Sequence, residues 1–126
     1  MDDSKIKIMI VEDEALVALD LKGRLKSFGY DVTGVASSYG EAIIKVEKMK
    51  PQLILMDVYI QGEINGIETA MYMKEIYNIP SLFLTAYNDA VTQQKIAALK
   101  PLGILFKPLN DFEFQKLMNS FLPGQF

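Results

Sequence analysis

Short apolar runs and stretches with helical spacing alternate five times along the chain. Four runs are almost wholly apolar, which is typical of strands buried on both faces of a sheet: KIKIMIV (5–11), LILM (53–56), SLFL (81–84) and GILF (103–106). A further run, DVTGVA (31–36), alternates apolar and polar residues and predicts a half-covered edge strand.

The segments between these runs predict five helices. The first carries apolar residues three or four positions apart and ends at Gly29, a common C-terminal residue of helices. Ser38 and Glu41 have the spacing of a capping box, which predicts the start of the second helix. The other helices are predicted over about 67–77, over about 89–98 and from Asn110 onward, the fourth being more polar than the rest.

Five strands alternating with five helices predict an α/β fold with a parallel sheet covered by helices on both faces. Right-handed crossovers favour the flavodoxin-like (βα)5 arrangement with strand order 2-1-3-4-5. In that order the first and third strands are neighbours, and a crevice opens beyond their carboxyl ends. The sequence contains no linker, repeat or low-complexity tract, so we expect residues 1–126 to form one domain without an output domain.

Composition narrows the chemistry that such a crevice can perform. The chain has no cysteine and no histidine, which excludes thiol catalysis and imidazole ligands and leaves carboxylates, hydroxyls, lysine and a hard cation. A net charge of −3 is unfavourable for binding nucleic acid. The apolar runs are too short to cross a membrane, so we expect a cytoplasmic protein that binds neither membranes nor nucleic acid.

Polar residues follow the predicted strands at the places where a parallel sheet gathers its carboxyl ends. Glu12 and Asp13 follow the first strand, Asp57 the third, Thr85 the fourth and Lys107 the fifth. Clustered carboxylates repel one another unless a cation lies among them, and Mg²⁺ suits a site of few carboxylates that handles phosphate. A carboxylate can attack phosphorus, while a lysine and a hydroxyl bind the phosphoryl oxygens.

The segments IVEDE, LILMDV, SLFLTA and GILFKP, in this order and spacing, resemble the receiver domain of two-component response regulators over essentially the whole chain. The resemblance implies a phosphorylation-activated switch. Asp57 would accept a phosphoryl group from a sensor histidine kinase in a Mg²⁺-dependent reaction, and Thr85 and Lys107 would bind that group. Phosphotransfer and dephosphorylation would be self-catalysed, so the chain would not be a turnover enzyme.

The same resemblance implies a set of metal ligands. Asp13 and Asp57 would bind Mg²⁺ directly, Glu12 would act through a metal-bound water, and the backbone carbonyl of Tyr59 would be a further ligand. It also implies a cis peptide bond between Lys107 and Pro108.

Two features depart from the family pattern. Many receivers carry Tyr or Phe three residues before the lysine of the fifth strand, where this chain has Ile104. Two bulky residues, Tyr59 and Tyr87, flank the expected phosphoryl site. Our hypothesis is that both rings obstruct the hydrolytic water and make the phosphorylated form long-lived.

The implied partners are a sensor histidine kinase and a downstream effector that binds the face formed by the fourth helix, fifth strand and fifth helix, with the chain a monomer or weak dimer. The main alternative is a receiver-like interaction module that is not phosphorylated. A phosphatase of the haloacid dehalogenase type fits poorly, because it needs a second aspartate where Tyr59 stands.

Overall fold

The computed structural model describes residues 5–60, 65–86 and 90–121, so Tyr87 and the predicted helix start at residue 89 lie outside the described residues. Strands and helices alternate strictly along the described chain. The strands are β1 (Lys7–Val11), β2 (Asp31–Ala36), β3 (Leu53–Asp57), β4 (Ser81–Ala86) and β5 (Gly103–Lys107). The helices are α1 (Ala15–Ser27), α2 (Tyr39–Met49), α3 (Gly66–Tyr77), α4 (Ala90–Ala98) and α5 (Asp111–Phe121).

The five strands form one parallel sheet in the order β2-β1-β3-β4-β5. This confirms the predicted fold class and strand order. The strands β1 and β3 are neighbours, with Val11 aligned to Met56, so the residues that follow them emerge side by side.

Alternate strand residues point to opposite faces, and both faces are packed. In β1, Ile8 and Ile10 belong to a cluster that also contains Leu21 of α1 and Phe114 of α5. Met9 and Val11 join a second cluster with α2, α3 and α4 on the other face. Because helices cover both faces, β1 and β3 read as continuous apolar runs rather than as alternating ones.

The predicted helix ends agree closely with the structure. Ser38 Oγ accepts a hydrogen bond of 3.3 Å from the Glu41 N–H, although the Glu41 carboxylate reaches back to the N–H of Ser37 and not to that of Ser38 itself. Asn110 Oδ1 accepts from the Glu113 N–H at 3.0 Å and starts α5. Gly29 has φ +97°, a conformation that glycine adopts at no steric cost, and it ends α1.

Three strands extend further than the apolar runs suggested. The strand β4 includes Thr85 and Ala86, and β5 includes Lys107, because Thr85 pairs with Phe106 and Ala86 with Lys107. Asp57 is likewise the last residue of β3. Asp57 and Lys107 therefore end their strands and Thr85 is the last but one residue of β4, so none of the three follows its strand.

Candidate functional site

The polar residues predicted at the strand ends lie at one edge of the sheet. Glu12 and Asp13 directly follow β1, and Glu12 continues the pairing through a hydrogen bond of 2.9 Å from its N–H to the Ala36 carbonyl. Asp57 and Lys107 are the last residues of β3 and β5, and Thr85 lies near the end of β4. Parallel strands bring all these ends together, so the topology by itself assembles the cluster.

Three carboxylates meet at the centre of this edge. Glu12, Asp13 and Asp57 each offer an oxygen, and these three oxygens lie within 4.8 Å of one another. Glu12 and Asp57 are buried, with 2% and 4% of their surface exposed, and Asp13 is half-buried. At such distances the charges repel strongly, because little water remains to screen them.

Lys107 supplies a cation within reach of this cluster. Its Nζ lies 3.6 Å from Asp57 Oδ1 and 3.9 Å from Glu12 Oε1. The side chain of Lys107 is 40% exposed, whereas the two carboxylates are almost fully covered. The ammonium group therefore balances part of the negative charge of the cluster while remaining partly in contact with solvent.

The environment of Glu12 disfavours its charged form. Burial raises the pKa of the Glu12 carboxyl to about 7, and the neighbouring Asp57 charge adds to the shift. Two groups oppose it: the Glu14 N–H, which donates to Glu12 Oε2 at 3.1 Å, and the Lys107 ammonium. Glu12 Oε1 is buried and has no hydrogen-bond partner among the described residues. Such an oxygen is costly unless something positive binds it.

The donor set fits a hard divalent cation such as Mg²⁺. The oxygens come from three carboxylates in close range, and one of them, Glu12 Oε1, is buried without a hydrogen-bond partner among the described residues. No histidine or cysteine is present to favour a softer metal. Asp57 Oδ1 also accepts a hydrogen bond of 3.3 Å from the Tyr59 N–H, which holds the loop after β3 close to the acidic cluster.

Thr85 lies on the strand next to Asp57. Asp57 is aligned with Leu84, so Thr85 lies one residue closer to the edge where the carboxylates gather. Thr85 is 1% exposed, and its Oγ1 has no hydrogen-bond partner among the described residues. A buried hydroxyl without a partner is uncommon, and here it retains an unused donor beside the acidic cluster.

Ile104 and Tyr59, which depart from the family pattern, lie in different surroundings. Ile104 is partly buried and packs against the cluster formed by α2, α3, α4 and the sheet. Tyr59 leaves 58% of its surface exposed, and its hydroxyl shares a hydrogen bond of 3.0 Å with Thr92 Oγ1 of α4. The Lys107–Pro108 bond is cis, as the resemblance implied.

Two residues at the start of α3 make contacts that were not predicted from the sequence. Asn65 Oδ1 accepts a hydrogen bond of 3.0 Å from the Glu68 N–H and starts α3, a role that the Asn-x-x-Glu spacing would have revealed. Gly66 follows it and donates its N–H to the Val58 carbonyl at 2.9 Å. No local pattern signals that second contact, because it depends on how closely α3 approaches β3.

A cavity of about 260 Å³ lies away from the acidic cluster, between α3, the start of β4 and the segment 99–102 that follows α4. Ala70, Phe83, Leu99 and Leu102 contribute apolar walls. Its one acidic lining residue is Glu75. The cavity is therefore separate from the carboxylate cluster, which lies at the carboxyl edge of the sheet.

Together the fold and this edge define a doubly wound α/β domain with a cluster of three carboxylates, which could hold a metal ion, at the switch point of its sheet. The family model of the response regulator receiver domain matches residues 8–119. The chain therefore belongs to the response regulator receiver domain family, whose members act as regulators rather than as turnover enzymes.

The similar proteins include regulators from several bacteria. The phyllosphere-induced regulator PhyR of Methylorubrum extorquens is 35% identical over 88 residues, which cover 69% of this chain and 33% of PhyR. The transcriptional regulatory protein PdtaR of Mycobacterium tuberculosis is 31% identical over 104 residues, which cover 82% of this chain and 50% of PdtaR. The chain thus spans between a third and a half of the length of these two relatives.

A solved structure supports the same fold. The signal receiver domain of a modulated diguanylate cyclase from Desulfovibrio desulfuricans superimposes with a TM-score of 0.85 at 30% identity, covering 96% of each chain. Within residues 5–60, 65–86 and 90–121, the helices are too short or too polar to cross a bilayer.

Proposed function

We propose that this chain is a phosphorylation-activated signalling switch in which Asp57 accepts a phosphoryl group from a sensor histidine kinase. One observation carries the proposal: a buried aspartate at the end of β3 lies 3.6 Å from the Lys107 ammonium and shares a cluster with two further carboxylates. Family membership supports the same reading.

In the proposed reaction, a carboxylate oxygen of Asp57 forms a bond to phosphorus. The bond between phosphorus and the histidine nitrogen of the donor breaks, and that nitrogen keeps the electron pair and is protonated as it leaves. The product on this chain is an acyl phosphate. Lys107 neutralises one phosphoryl oxygen, and Thr85 donates its unused O–H to another.

Asp13 and Asp57 are the proposed direct ligands of Mg²⁺. Glu12 is proposed to act through a metal-bound water, and the backbone carbonyl of Tyr59 to be a further ligand. When bound, the cation supplies charge neutralisation between an anionic donor and an anionic nucleophile. The unpartnered Glu12 oxygen and the mutual distance of 4.8 Å or less among the three carboxylates support this assignment.

Phosphorylation adds roughly one negative charge at Asp57 and so biases neighbouring segments between two arrangements. We propose that an effector protein reads this change on the face formed by α4, β5 and α5, and that the protein acts in the cytoplasm.

The test is intact-mass spectrometry after incubation with acetyl phosphate and Mg²⁺. We expect the wild-type chain to gain one phosphoryl group and the Asp57→Asn variant to gain none. Asp31→Asn is the matched control, because Asp31 begins β2 at the opposite end of the sheet. Omission of Mg²⁺, or addition of EDTA, should abolish labelling of the wild-type chain.

The alternative is an interaction module that has this fold but is not phosphorylated. It predicts no mass increase under any of these conditions. Calorimetric titration with Mg²⁺ distinguishes the two functions further. A phosphorylation site should bind Mg²⁺ in the wild-type chain, and this binding should be lost in the Asp57→Ala variant. Absence of both labelling and Mg²⁺ binding would favour the interaction module.

A further inference from the structure

Tyr59 contacts both the acceptor aspartate and a distant helix. Its backbone N–H donates to Asp57 Oδ1 at 3.3 Å. Its side-chain hydroxyl shares a hydrogen bond of 3.0 Å with Thr92 Oγ1 in the first turn of α4. A single residue therefore joins the acceptor carboxylate to a helix 33 positions further along the chain.

The contact falls on Thr92, which with Ile96 is one of the two buried residues among the nine of α4. Ile96 packs into the cluster beneath the helix, but Thr92 is polar and needs a hydrogen-bond partner at its buried position. The Tyr59 hydroxyl is one such partner, and it acts on the amino-terminal half of α4.

Phosphorylation would change the other end of this link. The bond from the Tyr59 N–H to Asp57 is charge-assisted, because the acceptor is a carboxylate. Conversion of that carboxylate to an acyl phosphate moves the negative charge outward onto the phosphoryl oxygens. The strongest acceptor near the Tyr59 N–H then changes position, and the loop that carries Tyr59 is drawn toward it.

We propose that Tyr59 is a positioning residue whose hydroxyl bond to Thr92 holds α4 in place and couples the state of Asp57 to that helix. The coupling rests on the proposed function, since it requires phosphorylation of Asp57. The positioning of α4 does not, because the bond is present in the unphosphorylated chain.

The experiment measures amide hydrogen exchange of peptides spanning α4, with and without acetyl phosphate and Mg²⁺. Tyr59→Phe removes the hydroxyl and keeps the ring, and Thr92→Val removes the partner hydroxyl at nearly constant shape. We expect either variant to exchange about fivefold faster in α4 before phosphorylation, as loss of one net hydrogen bond predicts. The double variant should be no faster than Thr92→Val alone, because the bond that Tyr59→Phe removes is already absent there.

Tyr77→Phe is the matched control. It also removes a tyrosine hydroxyl, which donates to Glu47 Oε1 at 2.8 Å on the α2 side of α3, and it should leave exchange in α4 unchanged. Wild-type and variant chains are compared at equal phosphorylated fraction, determined by intact mass on the same samples. The phosphorylation-induced change in α4 exchange should be present in the wild-type chain and reduced in both hydroxyl-deletion variants.

The outcomes separate this inference from the proposed function. If the wild-type chain is not labelled but α4 exchanges faster in Tyr59→Phe, the proposed function fails and the positioning role stands. If labelling occurs and α4 responds equally in the wild-type chain and in both variants, the inference is wrong and the proposed function stands. Additive effects in the double variant would also overturn it.

Discussion

Replacement of Gly66 by alanine tests how the structure positions the acceptor strand. A Cβ at Gly66 would lie 2.0 Å from the Asp57 carbonyl oxygen and 2.9 Å from both the Cα and the carbonyl oxygen of Val58. Ordinary contact begins near 3.4 Å, so α3 and the end of β3 must separate by more than 1 Å. All three obstructing atoms are backbone atoms, which cannot move aside as a flexible side chain can.

The expected cost is large because both partners of the clash are regular elements. Overpacking typically costs about 1–3 kcal/mol, and we place Gly66→Ala near the upper end, at about 3 kcal/mol. For a domain of this size, that corresponds to a fall in melting temperature of roughly 10 °C. The hydrogen bond from the Gly66 N–H to the Val58 carbonyl should weaken as well.

Gly23→Ala is the matched control for this measurement. Gly23 lies within α1, and a Cβ there meets no heavy atom within 4 Å. Alanine is favoured over glycine inside a helix by about 1 kcal/mol, so this variant should be more stable than the wild-type chain. Thermal unfolding followed by circular dichroism should show shifts of opposite sign. A Gly66→Ala chain that melts with the wild type would refute the close approach of α3 to Asp57.

Three further expectations concern the acidic site. In EDTA the wild-type chain should lose stability as pH rises from 4.5 to about 7, because the raised pKa of Glu12 lets the folded state keep a proton that the unfolded state releases. Urea titrations across this range should show that the free energy of unfolding changes less with pH in Glu12→Gln. An equal change with pH in both chains would contradict the raised pKa of Glu12. Lys107→Ala should slow labelling by acetyl phosphate at least about tenfold, because it removes the cation beside Asp57. An unchanged time course of labelling, followed by intact mass, would exclude a role of Lys107 in phosphorylation. Tyr59→Asn combined with Tyr87→Ala should speed hydrolysis of phosphorylated Asp57, and equal decay rates would remove the hypothesis that the rings obstruct water.

The sequence predicted the arrangement of the elements well because its local and global patterns agree. The wholly apolar run at 53–56 has no helical or strand alternation, and burial on both faces is the physical reason for it. Ser38 and Asn110 were recognised as helix starts because their side chains bond amides only three residues ahead. Signals of this kind depend on a few neighbouring residues and can be recognised without a structure.

Features that depend on how elements pack could not be predicted in this way. The register between β1 and β2 shifts between Ile8 and Met9, and no residue pattern marks it. The bond between Tyr59 and Thr92 requires the position of α4 relative to the loop after β3. The convergence of Glu12 with the other carboxylates was predictable because strand order alone brings the strand ends together. The distances between the carboxylates could not be predicted from strand order.

The acidic cluster works against the stability of the fold around it. An unpartnered buried oxygen such as Glu12 Oε1 costs about 1–3 kcal/mol, and Lys107 at 3.9 Å offsets this only in part because it is itself partly exposed. Thr85 adds a second unsatisfied polar atom beside the same strands. The two apolar clusters on either face of the sheet must therefore supply the stability that this edge removes.

That conflict is also what makes the edge suited to chemistry. Proteins whose patterns agree elsewhere tend to break them at functional sites. The burial that destabilises a lone carboxylate also excludes the water that would otherwise screen a bound cation and a phosphoryl group. Burial away from water makes Glu12, Asp57 and Thr85 unfavourable for the stability of the fold. The same burial would let them bind an ion and a phosphate strongly. The least favourable part of the core is therefore where phosphorylation is expected.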